Sequence, residues 1–448
     1  MGGEWQFKRL GEVATINPDA IGPDWPYAHI RYIDISSVGV GRIDTPPQWM
    51  KISDAPSRAK RLVRKGDTVL STVRPNRRSM FFASQPGDDW VVSTGFAVLR
   101  PNTKLVAPRF LYACVFNPAF TAYLVAREKG AAYPAVSPED IANAEIPFPP
   151  LKEQRAIASI LGSLDDKIEL NRRINRTLEE MARAIFKSWF IDFDPVRAKA
   201  AVRREHPKWT DEQVSRTACP NLKPEIARLF PDSFVDSELG QIPKGWRVQS
   251  FTDGTEVIGG GTPKTSVREF WGGEIPWFSV ADTPAPGDVF AISTEKTITR
   301  EGLNSCSARI LPVGTTIISA RGTVGNLALV GVPMAMNQSC YGLRPPHGQR
   351  GYYLYFATKA LVEIFRQRAH GSVFNTVTRE TLSGTQVVAP PRDLIEAFEG
   401  LASALLERIL ADQRQSSTLA ALRDALLPEL LSGELRVADA ERIAARYA

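Results

Sequence analysis

The chain of 448 residues is long enough for two or three domains, each with its own hydrophobic core. Hydrophobic residues make up 43% and charged residues 23%, as in soluble globular proteins, and no run of about 18 apolar residues predicts a membrane span. The four cysteines and four histidines are scattered, which does not match a zinc site or a disulfide framework. The net charge of +6 favours a polyanionic partner.

The first 150 residues predict an α+β domain. The opening sequence MGGEWQFKRLGEV lacks the apolar core of a signal peptide, so we expect a cytoplasmic protein. Runs rich in β-branched and aromatic residues at 30–38, 67–73 and 91–101 are typical of strands. The sequence RFLYACVFNPAFTAYLV then predicts a helix, and the domain 1–150 ends in GAAYPAVSPEDIANAEIPFPP.

A dense basic cluster lies inside this domain. The stretch RAKRLVRKGDTVLSTVRPNRR, residues 58–78, holds eight basic residues and one acid, Asp67. Arginines and lysines in turns around a strand suit contacts with phosphates and guanine edges, although an ordinary basic surface has the same composition. The candidate DNA-binding residues are Lys60, Arg61, Arg64, Arg74, Asn76, Arg77 and Arg78.

A long helix is predicted over 151–190. Its residues repeat in steps of four and three, as in a coiled coil: Ile157, Leu161, Leu164, Ile168, Asn171, Asn175, Leu178, Ala182, Ile185 and Trp189. The two asparagines form a polar layer that would fix the register. The segment 191–240 that follows is charged and rich in proline, and it predicts a partly ordered connector.

The chain then repeats itself. GSVFNTVTRETLSGTQVVAPP, residues 371–391, matches residues 130–150 at a distance of 241 positions, and Trp246 follows Trp5 by the same distance. In the middle of the repeat the offset drifts, since Gly314 follows Gly66 by 248 residues. Conserved strands joined by loops of different length give such drift. Residues 241–391 therefore predict a second domain of the same α+β type.

The second domain offers its own candidate contacts. Arg321 follows a predicted strand as Arg74 does in the first domain, and two polar residues lie in the same turn. The glycine-rich loop GGGTPKTS at 259–266 allows a close approach of backbone to phosphate. Tyr133 and Phe374 follow glycine turns, where an aromatic ring either contacts DNA or plugs the domain against the long helix. The additional candidates are Thr262, Lys264, Arg321, Thr323, Asn326, Tyr133, Phe374, Asn375 and Thr376.

A second long helix is predicted over 392–432, followed by a tail at 433–448. Its heptad positions match those of the first helix 241 residues earlier, with Asp412 and Ser416 as the polar layer and Arg423 as a break. Neither helix buries its apolar stripe alone, so we expect the two to pair antiparallel. The alternative is that each helix packs only on its own domain.

The sequence contains no recognisable catalytic motif. GGGTPKT lacks the glycine spacing of a phosphate loop, and NPAF at 117–120 lacks the second proline of adenine methyltransferases. No GxSxG motif occurs. Two similar domains joined by long helices instead predict a device that reads two sites at a fixed distance.

This organisation resembles the specificity subunit of type I restriction–modification systems. The sequence IPFPPLKEQRAIASILGSLDDKIELNRRINRTLEEMARAIFKSWFIDFDPVRAK, residues 146–199, is similar to the central conserved region of that family. PDSFVDSELGQIPKGW, residues 231–246, is similar to the start of its second recognition domain. In the distal half, Arg392 and Asp393 replace the Leu-Lys of PPLKEQ, a departure from that pattern.

The resemblance implies two target recognition domains separated by an antiparallel helix pair with approximate two-fold symmetry. It implies a non-catalytic subunit that binds double-stranded DNA, reading one half of a bipartite target with each domain. Two modification subunits would carry S-adenosylmethionine, and restriction subunits would use ATP and Mg²⁺, so we expect no cofactor on this chain. Two alternatives stay open: a self-contained DNA methyltransferase or nuclease, and a scaffold that binds only proteins.

Overall fold

The computed structural model of the chain describes residues 5–22, 24–130, 133–321, 324–346, 351–368 and 376–446. The chain divides into two compact units. The first comprises Met1–Leu170 with Gln415–Ala448, and the second comprises Asn171–Arg414. Each unit therefore holds one copy of the sequence repeat, which we call its module, together with part of both long helices.

The module of the first unit is built from short strands and short helices. Its strands are β1 Gln6–Arg9, β2 Ala14–Ile16, β3 His29–Ile33, β4 Val38–Gly39, β5 Arg42–Ile43, β6 Gln48–Lys51, β7 Ala59–Leu62, β8 Thr68–Ser71, β9 Met80–Phe82, β10 Trp90–Ser93, β11 Phe96–Pro101 and β12 Glu145–Phe148. Its helices are α1 Leu10–Val13, α2 Pro108–Phe116, α3 Pro118–Val125 and α4 Pro138–Ala142. The first long helix, α5 Leu151–Phe190, follows.

Two four-stranded sheets form the first module. One has the strand order β2-β11-β8-β9 and is antiparallel throughout, and the other has the order β6-β3-β10-β7 with a parallel pair β3/β10. Every residue of β8 is buried, which shows that the first sheet is covered on both faces. The antiparallel pair β1/β12 brings the start of the module beside its end, just before the long helix.

The second unit repeats these elements after a further segment. Its strands are β13 Phe234–Ser237, β14 Gly240–Pro243, β15 Arg247–Ser250, β16 Glu256–Gly259, β17 Trp271–Phe278, β18 Phe290–Ala291, β19 Thr297–Ile298, β20 Thr316–Ser319, β21 Leu327–Val330, β22 Ala335–Met336, β23 Cys340–Arg344 and β24 Gln386–Ala389. Its helices are α6 Asp194–Glu205, α7 Asp211–Ala218, α8 Pro224–Ala227, α9 Arg300–Asn304, α10 Tyr352–Arg368 and α11 Arg379–Ser383.

The two modules share one topology. The sheet β16-β23-β20-β21-β18 has the order of β2-β11-β8-β9 with one added strand, and β19-β17-β22 has the order of β6-β3-β10, again with one parallel pair. The pair β15/β24 begins with Arg247 opposite Ala389, which is the register of Gln6 opposite Phe148 moved by 241 residues. The sequence repeat is therefore a repeat of fold.

The second long helix is α12 Arg392–Ser432, and a short helix α13 Val437–Ala444 ends the described chain. In the first unit, α5 and α12 share one hydrophobic core in which Leu161, Leu164, Leu419 and Leu426 are buried. In the second unit, the Phe186 and Phe398 rings of the same helices meet with their centroids 5.7 Å apart. Residue numbers rise along one helix as they fall along the other, so the pair is antiparallel, as predicted.

The predicted heptad positions lie in these cores. Ile157, Leu161, Leu164, Ile168, Asn171, Asn175, Ala182 and Trp189 are all buried, and the Asn171 side-chain amide donates a hydrogen bond to the Asp412 carbonyl at 3.4 Å. On α12 the register moves by one residue at Leu405, because Leu406 is the buried side chain. Each helix also packs on the module of its unit, since the same cores include residues of α2 and α10. Both expected arrangements therefore occur together.

The predicted connector is folded and belongs to the second unit. It contains α6, α7, α8 and the hairpin β13/β14, where a partly ordered segment was expected. Phe193, Val196 and Phe230 are buried with Trp246 in one aromatic core. The buried Lys199 donates hydrogen bonds to two carbonyl groups of the connector, those of Ala227 and Phe230. Short apolar stretches between its prolines form this core, although the segment as a whole is rich in charged residues.

The fold class is thus α+β, with two similar modules and an antiparallel pair of long helices, in agreement with the prediction. Within the described residues, none of the helices is long and apolar enough to span a membrane.

Candidate nucleic-acid interface

The turn after β8 in the first module has an uncommon backbone. A short 3-10 helix, Pro75–Arg77, is bracketed by Arg74 with φ of 49° and Arg78 with φ of 53°. Residues other than glycine rarely occupy this left-handed region, and such residues cluster at functional sites. We call residues 72–78 the reading turn of the first module. It carries four of the predicted DNA-binding residues.

A second segment fixes the reading turn. The Arg74 N–H donates to the Pro134 carbonyl at 2.8 Å, and the Val136 N–H donates to the Thr72 carbonyl at 2.9 Å. Helix α4 begins just after this segment with a reciprocal cap between Ser137 and Asp140. Residues 134–136, which lie within the first copy of the repeated sequence, therefore run beside the turn and form the isolated β-bridge between Val73 and Ala135.

Tyr133 lies at the surface beside this turn. Its side chain is 66% exposed, and the Arg74 guanidinium lies 5.5 Å from the ring centroid. Such exposure excludes the alternative that Tyr133 plugs the module against a long helix. A tyrosine ring stacked with an arginine is a surface that suits bases and sugars.

Arg58 joins this group, although the sequence placed it only in the basic cluster and not among the contact residues. Its guanidinium donates to the Tyr32 hydroxyl at 3.1 Å and pairs with Asp34 at 2.7 Å, while its side chain stays 59% exposed. The pKa of Arg58 is raised mainly by its hydrogen bond with Tyr32, with further contributions from Asp34 and Tyr133. Arg58 lies near the reading turn, because the Thr94 N–H donates to its carbonyl and the Thr72 N–H donates to the carbonyl of the next residue, Gly95, both at 2.8 Å.

Asn76 and Arg77 form the tip of the reading turn, and both are exposed. Among the described residues, the Arg77 guanidinium makes neither an ion pair nor a side-chain hydrogen bond. A cation presented without a counter-charge suits a phosphate contact. The structure therefore brings Arg58, Arg74, Asn76, Arg77 and Tyr133 into one exposed surface, which we call reading surface 1.

The other basic candidates serve the fold to different degrees. Arg78 donates to the Phe116 carbonyl and lies 4.8 Å from the Phe116 ring centroid, and burial lowers its pKa. Burial also lowers the pKa of Arg61, which lies half-buried on β7. Arg64 pairs with Asp19 at 2.9 Å but stays 67% exposed, and Lys60 is exposed on β7. These residues lie outside reading surface 1, and Arg78 is half-buried against Phe116.

Asp67, the single acid in the basic cluster, is a buried anchor. It is 1% exposed, accepts from Arg100 at 2.8 Å and accepts from the backbone N–H of Arg64 at 2.8 Å. Arg100 also pairs with Asp19. This network holds the loop between β7 and β8, which leads into the reading turn.

The second module has a corresponding reading turn after β20. Arg321 forms an isolated β-bridge with Thr376, and the Val377 N–H donates to the Ala320 carbonyl at 3.0 Å. In the first module Val73 forms this bridge, with Ala135. Arg321 therefore occupies the position of Val73, and the predicted equivalence with Arg74 is wrong by one residue. Arg321 and Thr376 are both exposed. Thr323, Phe374 and Asn375 lie outside the described residues.

Asn326 closes this turn instead of extending from it. Its backbone N–H donates to the Ser319 hydroxyl at 2.8 Å, and its carbonyl accepts from the Ser319 N–H at 2.9 Å. The side chain is half-buried.

The glycine-rich loop lies beside the same turn. The Thr262 hydroxyl donates to the side chain of Gln338, and the next residue, Ser339, accepts from the Ala320 N–H at 2.8 Å. In the first module Arg58 holds a similar place, because the Thr94 N–H donates to its carbonyl at 2.8 Å and Gly95 accepts from Thr72. Thr262, Arg321 and Thr376 are thereby brought together as reading surface 2.

At two of the loop glycines there is no room for a side chain. A Cβ atom on Gly260 would lie 2.0 Å from the Asn337 carbonyl oxygen, and one on Gly261 would lie 2.5 Å from the Ala308 nitrogen. The absence of a Cβ atom at these two positions is therefore required by contacts within the protein. Lys264 is exposed on the same loop, and its carbonyl accepts from the Trp271 indole at 3.3 Å.

Comparison with known proteins finds matches to most of the chain. A family model described as "Type I restriction modification DNA specificity domain" matches residues 2–180 and 243–394. The two matches begin 241 residues apart, the same distance as the repeat.

Individual relatives give the same result. The type I restriction enzyme HindI specificity subunit of Haemophilus influenzae is 29% identical over 413 residues, covering 86% of this chain and 90% of the relative. The MjaIX specificity subunit of Methanocaldococcus jannaschii is 34% identical over 159 residues, covering 35% of this chain and 37% of the relative. The crystal structure of the type I restriction-modification system S subunit from M. genitalium has the same fold, with a TM-score of 0.50 at 14% identity, covering 95% of this chain and 96% of that one.

Proposed function

This chain belongs to the type I restriction modification DNA specificity family, and from this premise we propose how it selects its target. As a specificity subunit it binds double-stranded DNA and reads two different half-sites, one with each module. Reading surface 1 contacts one half-site and reading surface 2 contacts the other. The bases between them are not read.

The observation that carries this proposal is that the two modules present the same backbone turn with different side chains. Val73 and Arg321 form equivalent β-bridges, with Ala135 and Thr376 respectively. The first turn adds Arg74 and an exposed tyrosine, whereas the second adds polar groups from the glycine-rich loop. Since hydrogen-bonding groups at base edges decide sequence preference, unlike side chains on one scaffold support unlike half-sites.

The long helices set the length of the unread gap in this proposal. Each is one uninterrupted helix of 40 or 41 residues. The buried polar layer of Asn171 and Asp412 supports a fixed register, because the Asn171 amide donates to the Asp412 carbonyl across the helix pair. A fixed register fixes the distance between the modules.

We assign the chemistry to partner subunits. Two modification subunits dock on the long helices and transfer methyl groups from S-adenosylmethionine to adenine, and restriction subunits add translocation and cleavage driven by ATP with Mg²⁺. The chain itself acts as a non-catalytic subunit.

Methylation mapping tests the proposal. The chain is produced together with its modification subunits, and the methylated adenines in host DNA are sequenced. We expect one asymmetric motif made of two different half-sites with an unread gap. A contiguous motif, or methylation by the chain alone, would refute the proposal, and the second result would establish the self-contained methyltransferase. DNA binding by the complex that does not depend on this chain would favour the protein-only scaffold.

A further inference from the structure

Arg78 ends the reading turn of the first module with its side chain half-buried. Its guanidinium donates to the carbonyl of Phe116, the last residue of α2. Carbonyls in the last turn of a helix lack partners within the helix, and a cation there also meets the negative end of the helix dipole. The same guanidinium lies 4.8 Å from the centroid of the Phe116 ring. The end of the turn is thereby tied to the end of a helix.

The second module makes the equivalent tie in the reverse direction. The hydrogen bonds from Ser71 to Ser79 and from Ser319 to Asn326 close the two turns, so Gly325 holds the position of Arg78. Gly325 is also left-handed, with φ of 82°, but a Cβ atom there would lie 2.7 Å from the Val362 side chain. The helix supplies the guanidinium instead, since Arg366 of α10 donates to the Gly325 carbonyl at 3.4 Å.

In the first unit, further contacts connect Phe116 to both long helices. The Phe116 ring also has the Arg423 guanidinium 4.4 Å from its centroid, and Arg423 of α12 pairs with Asp165 of α5 at 2.7 Å. Arg423 is the residue that interrupted the predicted heptad. Its side chain is only 14% exposed, and its charge is paired with that of Asp165. This ion pair explains how an arginine fits into an otherwise apolar stripe.

We infer that Arg78 and Arg366 are positioning residues for base recognition: each fixes the left-handed end of its reading turn on a helix and contacts no DNA itself. This inference rests on the proposed function. The tip that carries Asn76 and Arg77 is three residues long and is held between two left-handed residues. Discrimination between bases depends on side chains held within fractions of an ångström, so release of one end relaxes recognition more than attraction to phosphates.

A binding experiment separates a positioning residue from a phosphate contact. The full chain, in complex with its modification subunits, carries either Arg78→Met or the matched control Arg77→Met. Methionine keeps an unbranched apolar chain and removes the guanidinium. Affinity is measured over a range of salt concentrations for the mapped target duplex and for duplexes with one half-site scrambled.

Arg78→Met is expected to reduce discrimination at the half-site of the first module at least about tenfold, with an unchanged slope of log affinity against log salt. Arg77→Met is expected to weaken binding to all duplexes alike and to reduce that slope by about 1. Arg366→Met is expected to relax only the other half-site. Arg78→Lys, which restores a cation and a donor, is expected to recover part of the discrimination.

A reduced salt slope with intact discrimination would overturn the inference by making Arg78 a phosphate contact. Unchanged binding by Arg78→Met would overturn it as well. Thermal melting of each complex confirms that the variants are folded; if Arg78→Met is not, Arg366→Met alone decides the question, and its failure to relax the second half-site overturns the inference. A wild-type complex without any discrimination would refute the proposed function instead.

Discussion

At the scale of single residues, one basic stretch serves two purposes. Arg58 and Arg77 are exposed and Arg74 is half-buried on reading surface 1, whereas the Arg78 guanidinium contacts Phe116. Sequence alone did not separate these residues, because all are arginines in one turn-rich segment. The separation depends on where α2 ends, which is a tertiary contact.

Replacing Arg74 by asparagine tests its contact with DNA. Asparagine tolerates the left-handed backbone better than most residues, so the turn is expected to persist. We expect binding of the target duplex to weaken by about 1–3 kcal/mol, measured by fluorescence anisotropy on the complex with its modification subunits. Lys104→Gln, an exposed lysine of the same module outside reading surface 1, is the control and is expected to bind like the wild type. Equal affinities of both variants would remove Arg74 from the interface.

A substitution of Asp67 tests its contribution to the stability of the fold. Asp67→Asn removes the charge that Arg100 pairs with in the interior, and an arginine left partly buried without its full complement of partners is costly. We expect the free energy of unfolding to fall by about 3 kcal/mol, seen as a lower urea midpoint. Asp88→Asn, at an exposed position, is expected to leave the midpoint unchanged. A wild-type midpoint for Asp67→Asn would show that the network is not needed for the fold.

At the scale of elements, the predictable parts were those that repeat. The long helices followed from their heptads, and the strands around residues 30–38, 67–73 and 91–101 followed from β-branched runs. Helices α6, α7 and α8 were missed because short amphipathic segments between prolines have the composition of a linker. Their burial depends on Trp189 and Trp246, which lie outside the segment.

The residue-by-residue alignment of the two reading turns was harder to predict from the sequence. The equivalence of Arg321 with Arg74 failed by one residue, since the two turns differ in length and the sequence does not reveal where an insertion lies. The bridge partners Ala135 and Thr376 fix the alignment, and they are known only from the structure. The packing role of the glycines in the loop at 259–266 was not predictable for a similar reason, because Gly260 and Gly261 pack against backbone that is distant in sequence.

The cap of α4 is a separate prediction at this scale. The Ser137 hydroxyl accepts from the Asp140 N–H at 3.1 Å, and the Asp140 carboxylate accepts from the Ser137 N–H at 2.9 Å. Ser137→Ala is expected to cost about 1 kcal/mol of stability, measured by urea unfolding. Ser53→Ala, at an exposed position of the short 3-10 helix Ile52–Asp54, is the control. Since this cap lies just after the residues beside the reading turn, a Ser137→Ala variant as stable as the wild type would mean that they are held without it.

At the scale of the molecule, the modules share a topology but differ in their ties to the long helices. The first module pairs with α5 through Arg109 and Asp166, and its Phe116 ring packs against Arg423 of α12. In the second module α10 pairs with α5 through Lys359 with Glu179 and through Arg183 with Glu363. The repeat relates α5 of one half to α12 of the other, so these ion pairs are not copies of each other. The two halves therefore keep one fold with different contacts, which agrees with two unlike half-sites.

The function of the long helices as a spacer is the central claim, and changing their length tests it. Residues 168–174 and 409–415 are matched heptads 241 positions apart, and they contain the facing pair Asn171 and Asp412. Removing both shortens the helix pair by about 10 Å, at 1.5 Å per residue. Duplicating both is the matched control, which lengthens the pair by the same amount.

Sequencing of methylated adenines in cells that carry each variant with its modification subunits gives both half-sites and the gap in one measurement. We expect unchanged half-sites, with a gap shorter by about three base pairs for the deletion and longer by about three for the duplication, at 3.4 Å per base pair. The same gap in the wild type and both variants would show that the helix pair does not set the spacing.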